Sequence, residues 1–253
     1  TTRKGTAMPE SRAYYHDLRE ACAEGGCPLC SVVDRSAESY INALLWETVT
    51  DVDARRRVVA SYGFCREHGW RLDRPGGVGG AAIMLNDVIK ALIAALDDIT
   101  AQPAGGSMWD RLRGRSGAAE AGEAILQPAL ECPVCAHVRR IETDAAQALL
   151  VYLTPGAHTL VEPFTAGNGL CLAHLRLTLA QPGKAQAHAA LVDAQRTIWQ
   201  RLHGELTEYI RKLDVQFRHE PYGVERDSWD RALKIPSGTR PRQSGGGLTQ
   251  ARF

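Results

Sequence analysis

The sequence predicts an all-α protein, and three observations lead to that prediction. Ala and Leu are abundant among the 253 residues, whereas aromatic residues make up only 6%. Ala and Leu are the strongest helix formers, while β-branched and aromatic residues favour strands. Apolar residues recur at three- and four-residue steps, which places them on one face of a helix. The alternating pattern of a half-buried strand is nearly absent.

The predicted helices follow one another in an order that occurs twice. A first helix is capped by Ser11, and a longer one begins at Pro28, because proline suits the first helical turn, where its missing N–H would have no partner. The rest of the first set is a short helix after Asp51 or Asp53, another short helix over residues 65–68, and a long helix over residues 79–100. The same order of elements is expected again from about residue 119.

Two cysteine motifs each occur twice, which indicates an internal duplication. Cys27-Pro-Leu-Cys30 is followed by Gly63-Phe-Cys65-Arg-Glu-His68, with 34 residues between Cys30 and Cys65. Cys132-Pro-Val-Cys135 is followed by Gly169-Leu-Cys171-Leu-Ala-His174, with 35 residues between Cys135 and Cys171. The offset between copies is 105 residues at the first motif and 106 at the second, as expected for a tandem repeat.

The repeat predicts how the chain is divided into domains. Residues 1–101 form the first helical repeat and residues 119–218 the second, and each is a small helical bundle. Residues 102–118, rich in Gly and Arg, are predicted to be a linker. Residues 219–253 are polar and rich in Arg, Gly and Pro, so we expect an extended or disordered tail.

Each repeat contains a complete ligand set for one metal ion. A Cys-x-x-Cys and a Cys-x-x-His supply three thiolates and one imidazole, which is a full tetrahedral set for Zn²⁺. Residues three apart on a helical turn lie on one side, so each pair can chelate without backbone strain. We therefore expect each repeat to be stapled by its own zinc ion, with Cys27, Cys30, Cys65 and His68 in the first repeat and Cys132, Cys135, Cys171 and His174 in the second.

Two other kinds of chemistry use the same residues. Thiolate-rich sets also hold iron–sulfur clusters, and two clusters would make the chain an electron-transfer protein. A thiol enzyme would use Cys27 and Cys132, but a redox Cys-x-x-Cys is expected in a βαβ context that this helical sequence lacks. A closed set of four protein ligands leaves no open position for Lewis-acid catalysis, so we expect no catalytic residue.

Composition bears on partners and compartment. The formal net charge of +1 argues against nucleic acid as a partner, because nucleic-acid binding needs a concentrated basic field. No apolar run reaches the roughly 18 residues of a membrane span, and no secretory signal is visible at the start. Seven cysteines is an odd number for a disulfide framework. We expect a cytoplasmic protein whose thiols are free or bound to metal.

The motifs resemble an uncharacterised bacterial family of duplicated Cys-rich helical proteins. The resemblance is carried by the two C-P-[LV]-C and G-[FL]-C-x-x-H pairs and by Glu225-Arg-Asp-Ser-Trp-Asp-Arg-Ala232 near the C-terminus, an E-x-D-S-W-x-R-A segment. It implies a soluble, metal-binding helical protein and brings no reaction with it. The function we expect is a zinc-stabilised scaffold or accessory subunit that engages a protein partner, with Trp109, Trp229 and the tail available for contact.

Overall fold

The computed structural model describes residues 14–101, 122–154 and 159–241, and within these residues it contains helices and no strand. The all-α prediction is therefore confirmed. The helices are α1 Tyr15–Ala23, α2 Pro28–Asn42, α3 Val52–Ala60, α4 Arg66–Trp70, α5 Val78–Ala101, α6 Pro133–Tyr152, α7 Val161–Ala166, α8 Leu172–Leu179, α9 Ala185–Lys212 and α10 Ser228–Ser237. A π-helical segment, Ala43–Glu47, continues α2, and a 3₁₀ turn, Val224–Asp227, precedes α10.

The helix starts follow the local sequence signals. Helices α2 and α6 both begin on the proline of a C-P-x-C motif, as predicted for Pro28. Asp51 caps α3 by accepting a hydrogen bond from the backbone N–H of Ala54 at 2.6 Å. The predicted linker 102–118, with Trp109, lies outside the described residues.

The C-terminal region differs from its prediction. Residues 224–237 were expected to belong to an extended tail, but they form the 3₁₀ turn and α10, which packs against α8 and α9. The compositional argument fails here because a few buried ion pairs, described below, hold a polar helix in place. Residues 242–253 lie outside the described residues.

The chain forms two compact units that do not coincide with the two predicted repeats. Unit 1 contains residues 14–36 and 139–241, and unit 2 contains residues 37–138, in each case within the described ranges. The boundary falls inside α2, between Ser36 and Ala37, and inside α6, between Val138 and Arg139. Each unit therefore contains the C-P-x-C motif of one repeat and the C-x-x-H motif of the other.

Each unit has its own apolar core, and the tetrapeptides belong to these cores. In unit 1, Leu29 is fully buried in a cluster with residues of α1, α6, α7 and α9. In unit 2, Val134 is fully buried in a cluster with residues of α2, α3 and α5. Leu29 and Val134 are the third residues of the two C-P-x-C motifs. Their burial fixes each tetrapeptide to its core and so positions its two cysteines.

Helix α5 is apolar on two sides. One side, with Met84 and Val88, is buried in unit 2, where α5 contacts α3. By length and composition alone α5 could cross a membrane, so the expectation that no segment is long and apolar enough is wrong on this point. The expectation failed because Asp87 and Lys90 interrupt the apolar run without making it too polar. The mostly buried core helix of a soluble protein meets the same criterion, whereas 22% of the apolar window of α5 is buried.

Candidate metal centres

The first cysteine pair of each centre lies at the start of a long helix. In both tetrapeptides the backbone carbonyl of the first cysteine accepts a hydrogen bond from the residue four positions on, at 3.2 Å for Cys27 and 3.0 Å for Cys132. The thiols therefore lie around the first helical turn, next to N–H groups that have no partner within the helix. This end of a helix favours the negative charge of thiolates.

The Cys-x-x-His motifs are also built at helix starts. Cys65 and Cys171 precede α4 and α8 with nearly the same backbone conformation, φ −65° and ψ 165° for one and φ −68° and ψ 164° for the other. Two residues earlier, Gly63 and Gly169 have φ values of +97° and +67°, which side chains other than hydrogen rarely permit. This explains why both copies carry glycine at that position.

Site 1, in unit 1, consists of Cys27, Cys30, Cys171 and His174. The four ligand atoms lie within 4.8 Å of one another. Nδ1 of His174 is 3.3 Å from the Sγ atoms of Cys27 and Cys30 and 3.2 Å from Sγ of Cys171. The two Sγ atoms of Cys30 and Cys171 are 3.9 Å apart. Three sulfur atoms and one imidazole nitrogen thus converge on one point.

Site 2, in unit 2, consists of Cys65, His68, Cys132 and Cys135, again with all ligand atoms within 4.8 Å. Nδ1 of His68 lies 3.2 Å from Sγ of Cys65, 3.8 Å from that of Cys132 and 3.3 Å from that of Cys135. The Sγ atoms of Cys65 and Cys135 are 3.6 Å apart. All eight predicted residues therefore belong to one of two Cys₃His groups.

The predicted grouping of these eight residues is wrong. Each C-P-x-C motif meets the C-x-x-H motif of the other repeat, not its own. The reason is helix length. After Cys27 the chain is helical from Pro28 to Glu47, a rise of about 30 Å. The next helix, Val52–Ala60, rises only about 13 Å, so it does not bring Cys65 back to the start.

The second repeat follows the same rule. Helix α6, Pro133–Tyr152, rises about 30 Å, whereas α7, Val161–Ala166, rises about 9 Å before the chain reaches Cys171. For one repeat to form a metal site by itself, the residues between its two motifs would have to lead the chain back along the whole length of the long helix. Pairing between repeats removes that requirement.

Site 1 has a tightly linked set of ionisable groups. Burial raises the pKa of Cys27 well above its usual value, while hydrogen bonds from Cys27 and Cys30 lower that of Cys171. Burial acts to lower the pKa of His174, but hydrogen bonds to Cys171, Cys30 and Glu142 outweigh it and raise the pKa to about 11. Protons held among these groups have to leave when a metal ion binds.

Glu142 is a site residue that the sequence prediction missed. Its Oε1 lies 2.8 Å from Nε2 of His174, the ring nitrogen that faces away from the three sulfur atoms. A carboxylate behind a ligating histidine fixes the ring orientation and makes the other nitrogen a better ligand. No spacing signal pointed to Glu142, because it lies within α6 and outside both motifs.

The C-terminal segment also reaches site 1. The backbone N–H of Thr239 donates to Sγ of Cys30 at 3.4 Å, and Oγ1 of Thr239 accepts a hydrogen bond from the backbone N–H of Cys27 at 2.9 Å. Two of the four ligand residues are therefore held by a segment that was predicted to be an extended tail.

Fold and sites together define the class: an all-helical protein with two Cys₃His groups, each able to hold a metal ion. All seven cysteines are free thiols, and the seventh, Cys22, is a buried core residue whose pKa burial raises to about 12. The chain belongs to a family of unknown function, DUF6062, whose model matches residues 14–243. No curated protein and no solved structure matches it.

Proposed function

We propose that the protein is a zinc-stabilised helical scaffold or accessory subunit that holds two structural zinc ions and engages a protein partner. The observation that carries this proposal is the convergence of three thiols and one imidazole nitrogen at each of two places. Each centre joins the starts of two helices that are distant in sequence. A metal ion there would staple the helices together and so add its binding energy to the stability of the fold.

The interatomic distances support zinc over an iron–sulfur cluster. With zinc–sulfur bonds of about 2.3 Å and zinc–nitrogen bonds of about 2.0 Å, tetrahedral geometry puts ligand atoms roughly 3.5–3.8 Å apart. All six sulfur–nitrogen distances and the Cys30–Cys171 and Cys65–Cys135 sulfur–sulfur distances are 3.2–3.9 Å, and every pair of ligand atoms within a site lies within 4.8 Å. A cluster has several iron atoms, and its ligands spread around them instead of converging on one centre. The geometry therefore suits a single ion.

A structural role is supported by the closed ligand set. Catalytic zinc sites have three protein ligands and leave a fourth position for water or substrate, whereas structural sites have four. Both groups here offer four protein ligands. We therefore propose no reaction at either metal, and we place the protein in the cytoplasm, where thiols stay reduced.

A partner-binding role is supported by apolar surface in both units. In unit 2, α5 exposes a stripe of five apolar side chains in three-, four- and seven-residue steps, each 41–55% exposed: Val78, Leu85, Ile89, Ile93 and Leu96. In unit 1, Trp229 on α10 is 54% exposed. Contiguous apolar patches of this kind are typical of interaction sites.

Metal analysis of anaerobically purified protein tests the proposal. We expect a colourless protein with about two zinc ions per chain, as the two closed ligand sets require. Replacement by Co²⁺ should give the intense visible absorption of a tetrahedral thiolate site. A brown protein that bleaches on reduction would instead indicate two iron–sulfur clusters and electron transfer. Metal-free protein with reducible Cys27–Cys30 and Cys132–Cys135 bonds would indicate thiol chemistry.

A further inference from the structure

We propose that the C-terminal arm, defined as residues 224–241, is a metal-responsive element: it docks when site 1 holds its metal ion and in turn slows release of that ion. The inference rests on metal binding as proposed above, but it goes beyond a passive scaffold. It assigns to site 1 a switch that site 2 does not control.

Among the described residues, Thr239 makes the hydrogen bonds that join the arm to the metal ligands. Thr239 donates its backbone N–H to Sγ of Cys30 and accepts the backbone N–H of Cys27 on Oγ1. Both hydrogen bonds are made to the Cys27–Cys30 tetrapeptide, so they depend on the position of this tetrapeptide at the start of α2. A metal ion fixes that position through both thiolates.

The close approach of the arm depends on two glycines. Gly238 ends α10 with φ +76°, and a Cβ at this position would lie 3.4 Å from Sγ of Cys30. Gly26 leaves room on the other side, where a Cβ would come within 2.7 Å of Oγ1 of Thr239. The backbone is therefore built to bring Thr239 directly against the tetrapeptide.

The opposite end of the arm is held by ion pairs that do not involve the metal site. Nζ of Lys212 contacts Oε1 of Glu225 at 2.5 Å, with both side chains at least nine-tenths buried. Arg231 pairs with Glu205 at 2.6 Å and with Asp227 at 2.8 Å. These pairs account for the acidic and Arg positions of the E-x-D-S-W-x-R-A segment. They anchor the start of the arm and leave its end to depend on Thr239.

Metal binding would strengthen the hydrogen bond between Thr239 and Cys30 at the C-terminal end of the arm. A metal-bound cysteine is a thiolate, and a hydrogen bond to a charged sulfur is stronger than one to a neutral thiol. Coupling between two sites is reciprocal. The metal ion therefore stabilises docking of the arm by the same free energy by which the docked arm stabilises metal binding. Site 2 provides an internal reference, since its four ligands all belong to unit 2 whereas the arm belongs to unit 1.

The first experiment measures zinc release from the full chain to a chromophoric chelator. Thr239→Val removes the hydroxyl that accepts from Cys27, and Thr239→Pro also removes the N–H that donates to Cys30. We expect site 1 to release zinc about tenfold faster in Thr239→Pro, the scale found when outer-shell partners of ligands are removed, with a smaller effect in Thr239→Val. Release from site 2 should be unchanged. Thr207→Val, an exposed threonine on α9, is the matched control.

The second experiment measures the reverse coupling. Trypsin can cut the arm at Arg231 and at Lys234, but not at Arg240, because Pro241 follows it. Cys30→Ser should accelerate these cuts severalfold, whereas Cys135→Ser, the corresponding change at site 2, should not. Zinc added to wild-type protein that has been stripped by chelator should restore protection of the arm.

The proposal is overturned if Thr239→Pro leaves both release rates unchanged or speeds them equally. Equal trypsin cutting of the arm in Cys30→Ser and Cys135→Ser overturns it too, and stripped wild-type protein distinguishes this result from misfolding of a variant. These outcomes differ from failure of the proposed function. That failure is visible beforehand, as wild-type protein that purifies without two bound zinc ions.

Discussion

The two metal centres have the same ligands but different surroundings. At site 1, Cys27 and Cys171 are only 3% and 2% exposed. At site 2, Cys132 is 9% exposed, and Cys65 and Cys135 are both half-buried. Water and chelators therefore reach more of the ligand atoms at site 2. A metal ion at site 2 would therefore exchange more readily than one at site 1.

Site 1 also has residues from outside the two motifs that contact its ligands. Site 1 has Glu142 behind His174 and Thr239 against Cys30. The position that corresponds to Glu142 in the sequence repeat, 105 residues earlier, is the buried Ala37, which offers no carboxylate. Glu142 thus has no counterpart at the corresponding position of the other motif pair, and with the difference in burial the two sites should hold metal with different strength.

The largest expected effect comes from breaking the ligand sets in pairs. Cys30→Ser combined with Cys171→Ser removes two ligands of site 1, so this variant should retain one of the two metal ions. Cys30→Ser combined with Cys65→Ser damages both sites and should retain neither at chelator concentrations that leave the wild type loaded. Metal content per chain by elemental analysis checks both results.

The same two variants separate the observed grouping from the grouping within repeats. Under pairing within repeats the results would be reversed, because Cys30 and Cys65 would then share a site. Cys22→Ser, which removes the cysteine outside both sites, is the control and should keep both ions. Retention of one ion by the Cys30/Cys65 variant would contradict the grouping described above.

A second prediction sharpens the difference between the sites. Glu142→Gln should weaken metal binding at site 1 by about 10- to 100-fold and leave site 2 unchanged, because the carboxylate orients only His174. Competition with a chelator of known affinity measures the two sites in one titration. In the wild type we expect site 2 to lose its ion first.

The control for this titration is Glu162→Gln, which removes an exposed carboxylate on α7 at the same cost in net charge. If Glu142→Gln weakened both sites equally, the carboxylate would act through general electrostatics or stability. If it weakened neither, the contact with His174 would have no functional weight.

Much of this comparison could be predicted from the sequence. The helical class follows from composition and spacing, and the eight ligands follow from two motifs that occur twice. The start of α2 at Pro28 follows from the geometry of proline. These features depend on residues close together in the chain, where residue type and spacing restrict the local structure.

The grouping of the ligands could not be read from the motifs alone. Gaps of 34 and 35 residues are compatible with either arrangement, because the chain could return as an extended segment. The grouping is decided by the length of the helices that follow each tetrapeptide. This length could not be predicted closely, because the sequence does not define helix ends to the residue. Glu142 and Thr239 were missed for a related reason: both reach site 1 from distant parts of the chain.

A third prediction concerns the arm, which supports only site 1. Glu225→Gln removes the charge that pairs with Lys212, so hydrogen exchange over residues 224–237 should be faster in the variant at neutral pH. The hydrogen bond from Lys212 lowers the pKa of Glu225 to about 2. A carboxyl with a lowered pKa stabilises the folded state above its unfolded value of about 4.3, and this contribution is lost as the pH falls through the folded value.

The difference in exchange between wild type and Glu225→Gln should therefore be constant above about pH 5, shrink below about pH 4 and vanish near pH 2. Asp214→Asn, at an exposed position just beyond α9, controls for the general effect of lost negative charge. A difference that persists unchanged at pH 2 would mean that the side chain acts through packing and not through its charge.

The smallest expected effect concerns the long helices of the two units. Helix α9 in unit 1 contacts the arm, whereas α5 in unit 2 exposes its apolar stripe. Ile89→Glu, in that stripe, should change the free energy of unfolding by less than about 0.5 kcal/mol, because the side chain is 55% exposed. Ile89→Glu should also lower binding of an apolar fluorescent dye.

The control for dye binding is Ile83→Glu, at a side chain of α5 that is 44% exposed but lies outside the stripe, and it should lower dye binding less. Equal effects would show that the stripe does not act as one surface, and a large loss of stability would show that Ile89 is packed.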